Sequence, residues 1–189
     1  MPGAERGPAT APVRAALQDY RARLPAALGA GVLLALLLLP LDLGRQLLVR
    51  DDPSLVHALL VDVVGVLLAT AGQLALVGAL TGSRPGRWLA DGTARTLAAV
   101  RRHPRAVLLG LVGAGVVSGL LTLPVSVAAL GADQVLGPLE DPPLAALVVA
   151  SLSDALGTAV TAPFFALLVG RLTGRGADRS TAAAARARP

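Results

Sequence analysis

The chain has 189 residues, 54% of them hydrophobic and only 15% charged, with a mean hydropathy of +0.67. A soluble domain of this length needs more polar surface to cover its core, so the composition excludes that class. The absence of cysteine excludes disulfides, thiolate nucleophiles and Cys-ligated metals, while 17 arginines and no lysine set a net charge of +5 and a pI near 11.3.

Residues 1–12 are Pro, Gly, Ala and Thr with scattered charge, and disorder is expected there. Val13, Ala16, Leu17, Tyr20 and Leu24 then fall on one helical face, with Arg14, Asp19, Arg21 and Arg23 on others. That pattern predicts an amphipathic helix on the inner leaflet, its Arg21 and Arg23 heads among anionic lipids. Pro25 opens a first span, Leu24–Leu41, that has no charge at all. A second apolar stretch, Pro53–Ser83, carries only Asp62 besides His57. Trp88–Arg102 repeats the surface-helix pattern, with Leu89, Thr93, Leu97 and Val100 as its apolar stripe. Arg101, Arg102 and Arg105 make its basic end. Pro104 opens the third stretch, and Ala106–Ala132 is free of charge. The fourth, Pro142–Gly170, carries only Asp154, and Pro163 well inside it predicts a kink. From residue 175 the chain is a basic tail, also expected to be disordered. Each stretch is long enough to cross ~30 Å of hydrocarbon, which takes ~20 helical residues.

The two halves share sequence. Gly29-Ala30-Gly31-Val32 recurs as Gly113-Ala114-Gly115-Val116, and 8 of 14 positions are identical between Leu28–Leu41 and Val112–Val125. Leu76-Val77-Gly78 through Thr81-Gly82 recurs as Leu168-Val169-Gly170 through Thr173-Gly174, an offset that also sets Asp62 on Asp154. The Pro, Asp and Thr coincidences weigh most in a chain this rich in Ala, Leu, Gly and Val. They indicate a direct repeat of a two-helix hairpin, residues 13–82 and 83–174, each led by its surface helix. The predicted fold is therefore all-α: four transmembrane helices in two parallel-repeat hairpins.

Arginine placement sets the expected topology. Fifteen of the 17 precede the first span, lie between the second and third, or follow the fourth; only Arg45 and Arg50 fall in the other two loops. The positive-inside rule then puts both termini in the cytoplasm of a cell membrane, inner or plasma, and leaves no need for nucleic acid.

Three constellations stand out. Asp62 and Asp154 are ionisable groups in apolar helices, by default functional, although a position near the outer headgroups would keep them wet. Ser151, Asp154, Thr158 and Thr161 align on one face of the fourth helix, echoed in the second by Asp62, Gly65, Ala69 and Gln73. Such a stripe lines a substrate path or supplies hydrogen bonds between helices, and the sequence leaves both open. Gly31-x-x-x-Ala35 and Gly115-x-x-x-Gly119 invite close helix packing, read as the first and third helices meeting on a pseudo-two-fold axis, or as a homodimer face. His57 and His103 fall on opposite sides of the bilayer and cannot share a metal. No phosphate-binding loop or Ser/His/Asp arrangement occurs, so neither catalysis nor a cofactor is expected.

Taken with the surface helices entering Pro-bounded spans, the closing Thr161-Ala162-Pro163-Phe164-Phe165-Ala166-Leu167-Leu168 segment resembles bacterial membrane proteins of one broad group. That group includes the membrane domain found ahead of some glycerophosphodiester phosphodiesterases. The likeness covers residues 13–173 and departs at Gly170-Arg171-Leu172-Thr173-Gly174, where a Tyr-containing, Asp-Leu-Arg-like ending is expected. No phosphodiesterase domain accompanies it, so no catalytic residue carries over. The expectation is a non-enzymatic membrane scaffold or accessory subunit that binds lipids or a partner, in a homo-oligomer or larger complex. A transport element with a polar path along the Asp154 stripe is the alternative.

Overall fold

The computed structural model describes residues 10–51, 55–130 and 144–186, with backbone alone at 45–46, 48–51, 55, 57–58, 130 and 175–186. Every element among them is a helix: α1 Thr10–Ala22, α2 Leu24–Asp51, α3 Leu55–Leu80, α4 Trp88–Arg102, α5 Pro104–Leu130 and α6 Leu144–Arg186. Apolar runs this long, placed in hydrocarbon, must satisfy every backbone N–H and C=O internally, which a helix does. Leu24–Gly44, Leu59–Leu80, Pro104–Ala129 and Leu144–Gly174 are each long and apolar enough to cross a membrane.

Proline and glycine punctuate the chain as their chemistry demands. Hydrogen bonds from Arg23 N–H to Asp19 O and from Ala27 N–H to Arg23 O run through the α1–α2 junction, but Pro25 has no N–H to offer Arg21. The two helices separate there. Thr81-Gly82 closes α3: Gly82 takes φ +83°, Ser83 N–H donates to Gly78 O at 3.0 Å and Gly82 N–H to Ala79 O at 3.3 Å. That is a Schellman cap, open to glycine because the position is left-handed. Arg95 of α4 adds a hydrogen bond to Thr81 O at 2.7 Å, a cation on a helix C-terminus. The matching Thr173-Gly174 does not end α6, which continues to Arg186. Likewise α2 does not stop near Pro40 but runs on to Asp51, carrying Asp42 on the helix rather than in a loop. Residues 10–12, expected to belong to a disordered segment 1–12, form the start of α1 instead; residues 1–9 and the side chain of His57 lie outside the described residues.

One helix organises the bundle. In the apolar window of α6, 39% of residues are buried, against 17–22% for the other three spans, because α6 alone touches every other helix. It runs antiparallel to α2 and α5 and parallel to α3: Gly157 packs on Ser118 and Thr122, while Gln73 bonds to Ala162 and Gly170 meets Thr81. The expected meeting of the first and third spans does not occur. No contact joins α2 to α5, or α3 to α5, among the described residues.

Pro163 explains the difference. Lacking an N–H, it leaves the Ala159 carbonyl without its helical partner. Gly31 of α2 lies directly over that carbonyl: a Cβ there would strike it and come within 2.8 Å of the Pro163 ring. The Gly31 Cα–H covers the orphaned oxygen, and Ala35 packs one turn on, 4% exposed. The residue matching Pro163 in α3 is Ala71, so α3 offers no such seat to α5. Gly115 accordingly faces nothing within 4 Å, and Gly119 only Leu123 of its own helix. Of the four small residues expected to pack α2 on α5, one pair seats α2 on α6 and the other is left at the surface.

Candidate functional site: a polar cavity between α3 and α6

The surface helices dock on the bundle by their small residues. Gly92 of α4 sits against Leu74, and Gly78 of α3 against the Trp88 backbone, so α3 and α4 touch backbone to backbone. Leu89, Leu97 and Val100 point away from the bundle, 42–48% exposed, as a lipid-facing stripe should. In α1, Ala16 and Tyr20 are buried while Leu17 is exposed. Tyr20 meets Phe164 edge to face at 6.4 Å, and burial pushes its phenol above the usual range. Asp19 accepts two hydrogen bonds from Arg171 of α6, Nε donating to Oδ2 and Nη2 to Oδ1, a bidentate pair. The Arg171 hydrogen bonds hold the Asp19 carboxyl below its ordinary value, against a smaller opposing effect of burial. Arg21, Arg23, Arg101, Arg102 and Arg105 are all exposed, as is His103.

α4 thereby floors a cavity of 420 Å³ between α3 and α6. Thr70 and Gln73 line it from α3, Thr158 and Thr161 from α6, and Thr96 from α4; Leu34 and Leu38 of α2 form its back wall. Gln73 donates to Ala162 O at 3.0 Å, bridging α3 and α6, and Thr161 donates to Gly157 O at 2.8 Å. Thr96 Oγ1 is buried with no hydrogen-bond partner. Thr70 is exposed at the edge, and α5 contributes nothing to the lining. Since α5 does not reach α3, the gap is unroofed on that side.

A second groove of 260 Å³ lies between α2 and α3, with Asp42 and Asp62 on its lining. The two voids share only Leu38 and Ala69, both apolar. The stripe expected from sequence is therefore divided. Gln73, Thr158 and Thr161 share the cavity; Asp62 lines the groove; Asp154 is exposed, with Asp42 as a like-charged neighbour. Ser151 is buried at 1% exposure, its hydroxyl unpartnered. Ser153, not singled out by sequence, bonds to Thr122 O at 3.3 Å and ties α6 to α5.

Sequence reasoning missed Asp42, Thr70 and Thr96 as members of these sites. Asp42 required knowing that α2 continues through Pro40, and Thr96 that α4 docks on α3. The Thr70 signal was present, one turn from Gln73 on the same helix. Among the described residues no cluster of three metal-ligating side chains occurs. Comparison with known protein families, curated proteins and solved structures finds no match to this chain.

Proposed function

We propose that the chain is a non-enzymatic membrane module that binds a ligand or partner within the bilayer, and not a self-contained pore. The observation that carries this reading is the division of the polar groups. Hydroxyls and an amide surround a cavity open at its side, while Asp42 and Asp62 line a separate groove, with Leu38 and Ala69 the described residues common to both. An ion passing between the two sets of polar groups would have to cross the apolar stretch at Leu38 and Ala69, where no polar side chain replaces its hydration. We take the two halves to be duplicated hairpins with both termini cytoplasmic, from the shared sequence and the arginine distribution. The resemblance to the membrane domain that precedes some phosphodiesterases fits a module that serves a partner.

The transport reading keeps one observation in its favour: Asp42 and Asp154 neighbour each other while Asp62 lines a groove that adjoins the cavity. Proteoliposomes separate the two. With the purified chain reconstituted and a proton or potassium gradient imposed, the binding module leaks no faster than protein-free vesicles. Sustained flux that Asp154→Asn abolishes would overturn this reading in favour of transport.

A further inference from the structure

We propose that the α3–α6 cavity binds the head of an uncharged lipid bearing hydroxyl or carbonyl groups, entering sideways from the bilayer. This rests on the reading of the chain as a binding module and names its ligand class.

The polarity of the lining decides the charge of the occupant. Thr70, Gln73, Thr96, Thr158 and Thr161 provide hydrogen-bonding groups, and among the described residues no ionisable side chain lines the cavity. Gln73 lies seven residues from the end of α3, ~10 Å along the helix, inside the apolar span. A phosphate or ammonium there would lose its hydration and find no countercharge. A neutral hydroxyl or ester meets both needs: it loses little hydration and finds donors and acceptors in place.

Unused hydrogen-bonding capacity points to an occupant. Gln73 engages one amide N–H with Ala162 O, which leaves its carbonyl as an acceptor, and the enclosed Thr96 Oγ1 finds no partner among the described residues. Gln73 lies within the apolar span, where bulk water is not at hand to satisfy that carbonyl. Access follows from the packing: Thr70 is exposed at the rim, and α5 leaves α3 uncovered. Leu34, Leu38 and Phe165 supply apolar wall for the first part of an acyl chain. The volume of 420 Å³ is that of a small-molecule site, ~300–1,000 Å³, and takes a headgroup rather than a whole lipid.

The test is native mass spectrometry of the full chain in detergent, titrated with 1,2-dioctanoylglycerol, with decylubiquinone as a carbonyl-only arm and dioctanoyl phosphatidic acid as a charged arm. One dioctanoylglycerol or one decylubiquinone is expected to bind per chain, the stronger of the two identifying the head chemistry, and phosphatidic acid is expected to compete poorly. Gln73→Leu and the double substitution Thr158→Val, Thr161→Val are each expected to weaken binding about five- to tenfold. Thr96→Val guards against a folding artefact. Removing an unpartnered hydroxyl is expected to raise the melting temperature while lowering affinity, two movements that a structural role alone would not set in opposite directions. Equal competition by phosphatidic acid, or binding untouched by all three variants, would overturn the proposal. Vesicles that stay tight while neither neutral probe binds would overturn it and leave the non-conducting reading standing; conducting vesicles would overturn that reading whatever binds.

Discussion

Pro163 removes one N–H from α6, and Gly31 supplies the only kind of neighbour that can lie on the exposed carbonyl. Sequence alone predicts a kink at Pro163; the docking seat that it makes for the opposite helix depends on which backbone arrives. Gly31→Leu is expected to cost about 1–3 kcal/mol or more, because a side chain has no room over Ala159. Gly115→Leu, at the matching position in α5, is expected to fall within about ±0.5 kcal/mol. Thermal unfolding of both variants in one detergent checks the contrast. Asp19 offers a residue-scale test by pH. Its folded pKa is depressed, so its contribution is complete above the unfolded value of ~3.9 and is lost as pH falls through the lower, folded one. The Arg171 side chain is 43% exposed and Asp19 24%, so solvent screens the pair and it is worth about 1 kcal/mol at most. Limited proteolysis within α1 is expected to accelerate below about pH 4 in the wild type. Asp19→Asn is expected to show the faster rate already at neutral pH, with no acid-dependent step.

At the scale of elements, the apolar runs were legible because a span must be ~20 residues of nearly uncharged helix, and all four appear where that argument puts them. The surface helices were legible as amphipathic segments, with one refinement. Ala16 and Tyr20 in one and Gly92 and Ala99 in the other face the bundle, while Leu17, Leu89, Leu97 and Val100 face out. Periodicity finds such a stripe but does not say whether protein or lipid covers it. Packing within the bundle was not legible. The matching glycine motifs of α2 and α5 look alike in sequence, and their fates differ through one proline on a third helix. The cavity was half legible: Gln73, Thr158 and Thr161 stood on aligned faces, whereas Thr96 came from a helix read as lying on the surface. Tyr20 tests how α1 is held. Tyr20→Phe keeps the edge contact with Phe164 and removes a hydroxyl that is buried without a partner, so protection of α1 from protease is expected to hold or improve. Tyr20→Ala is expected to expose the segment to cleavage, and Leu17→Ala to leave it protected.

At the scale of the molecule, α2 and α5 both pack on α6 and not on each other, and the cavity follows from that. With α2 and α5 on opposite sides of α6, α3 keeps an uncovered flank, and the polar groups of α3 and α6 look into the gap between them. Reporter fusions after Ser83 and near Arg175 are expected to signal cytoplasm and fusions near Asp51 and Glu140 the exterior; an exterior signal at Ser83 would refute the arginine argument. The arrangement of helices is testable more directly because the chain has no native cysteine to interfere. Ala27 and Leu167 lie in one packed cluster between α2 and α6, so the pair Ala27→Cys, Leu167→Cys is expected to form a disulfide rapidly under mild oxidant in membranes. The pair Ala35→Cys, Gly119→Cys, on the faces that a central α2–α5 contact would join, is expected to remain reduced. Rapid cross-linking of the second pair within one chain, with the first left open, would contradict the placement of α6 and the cavity built on it.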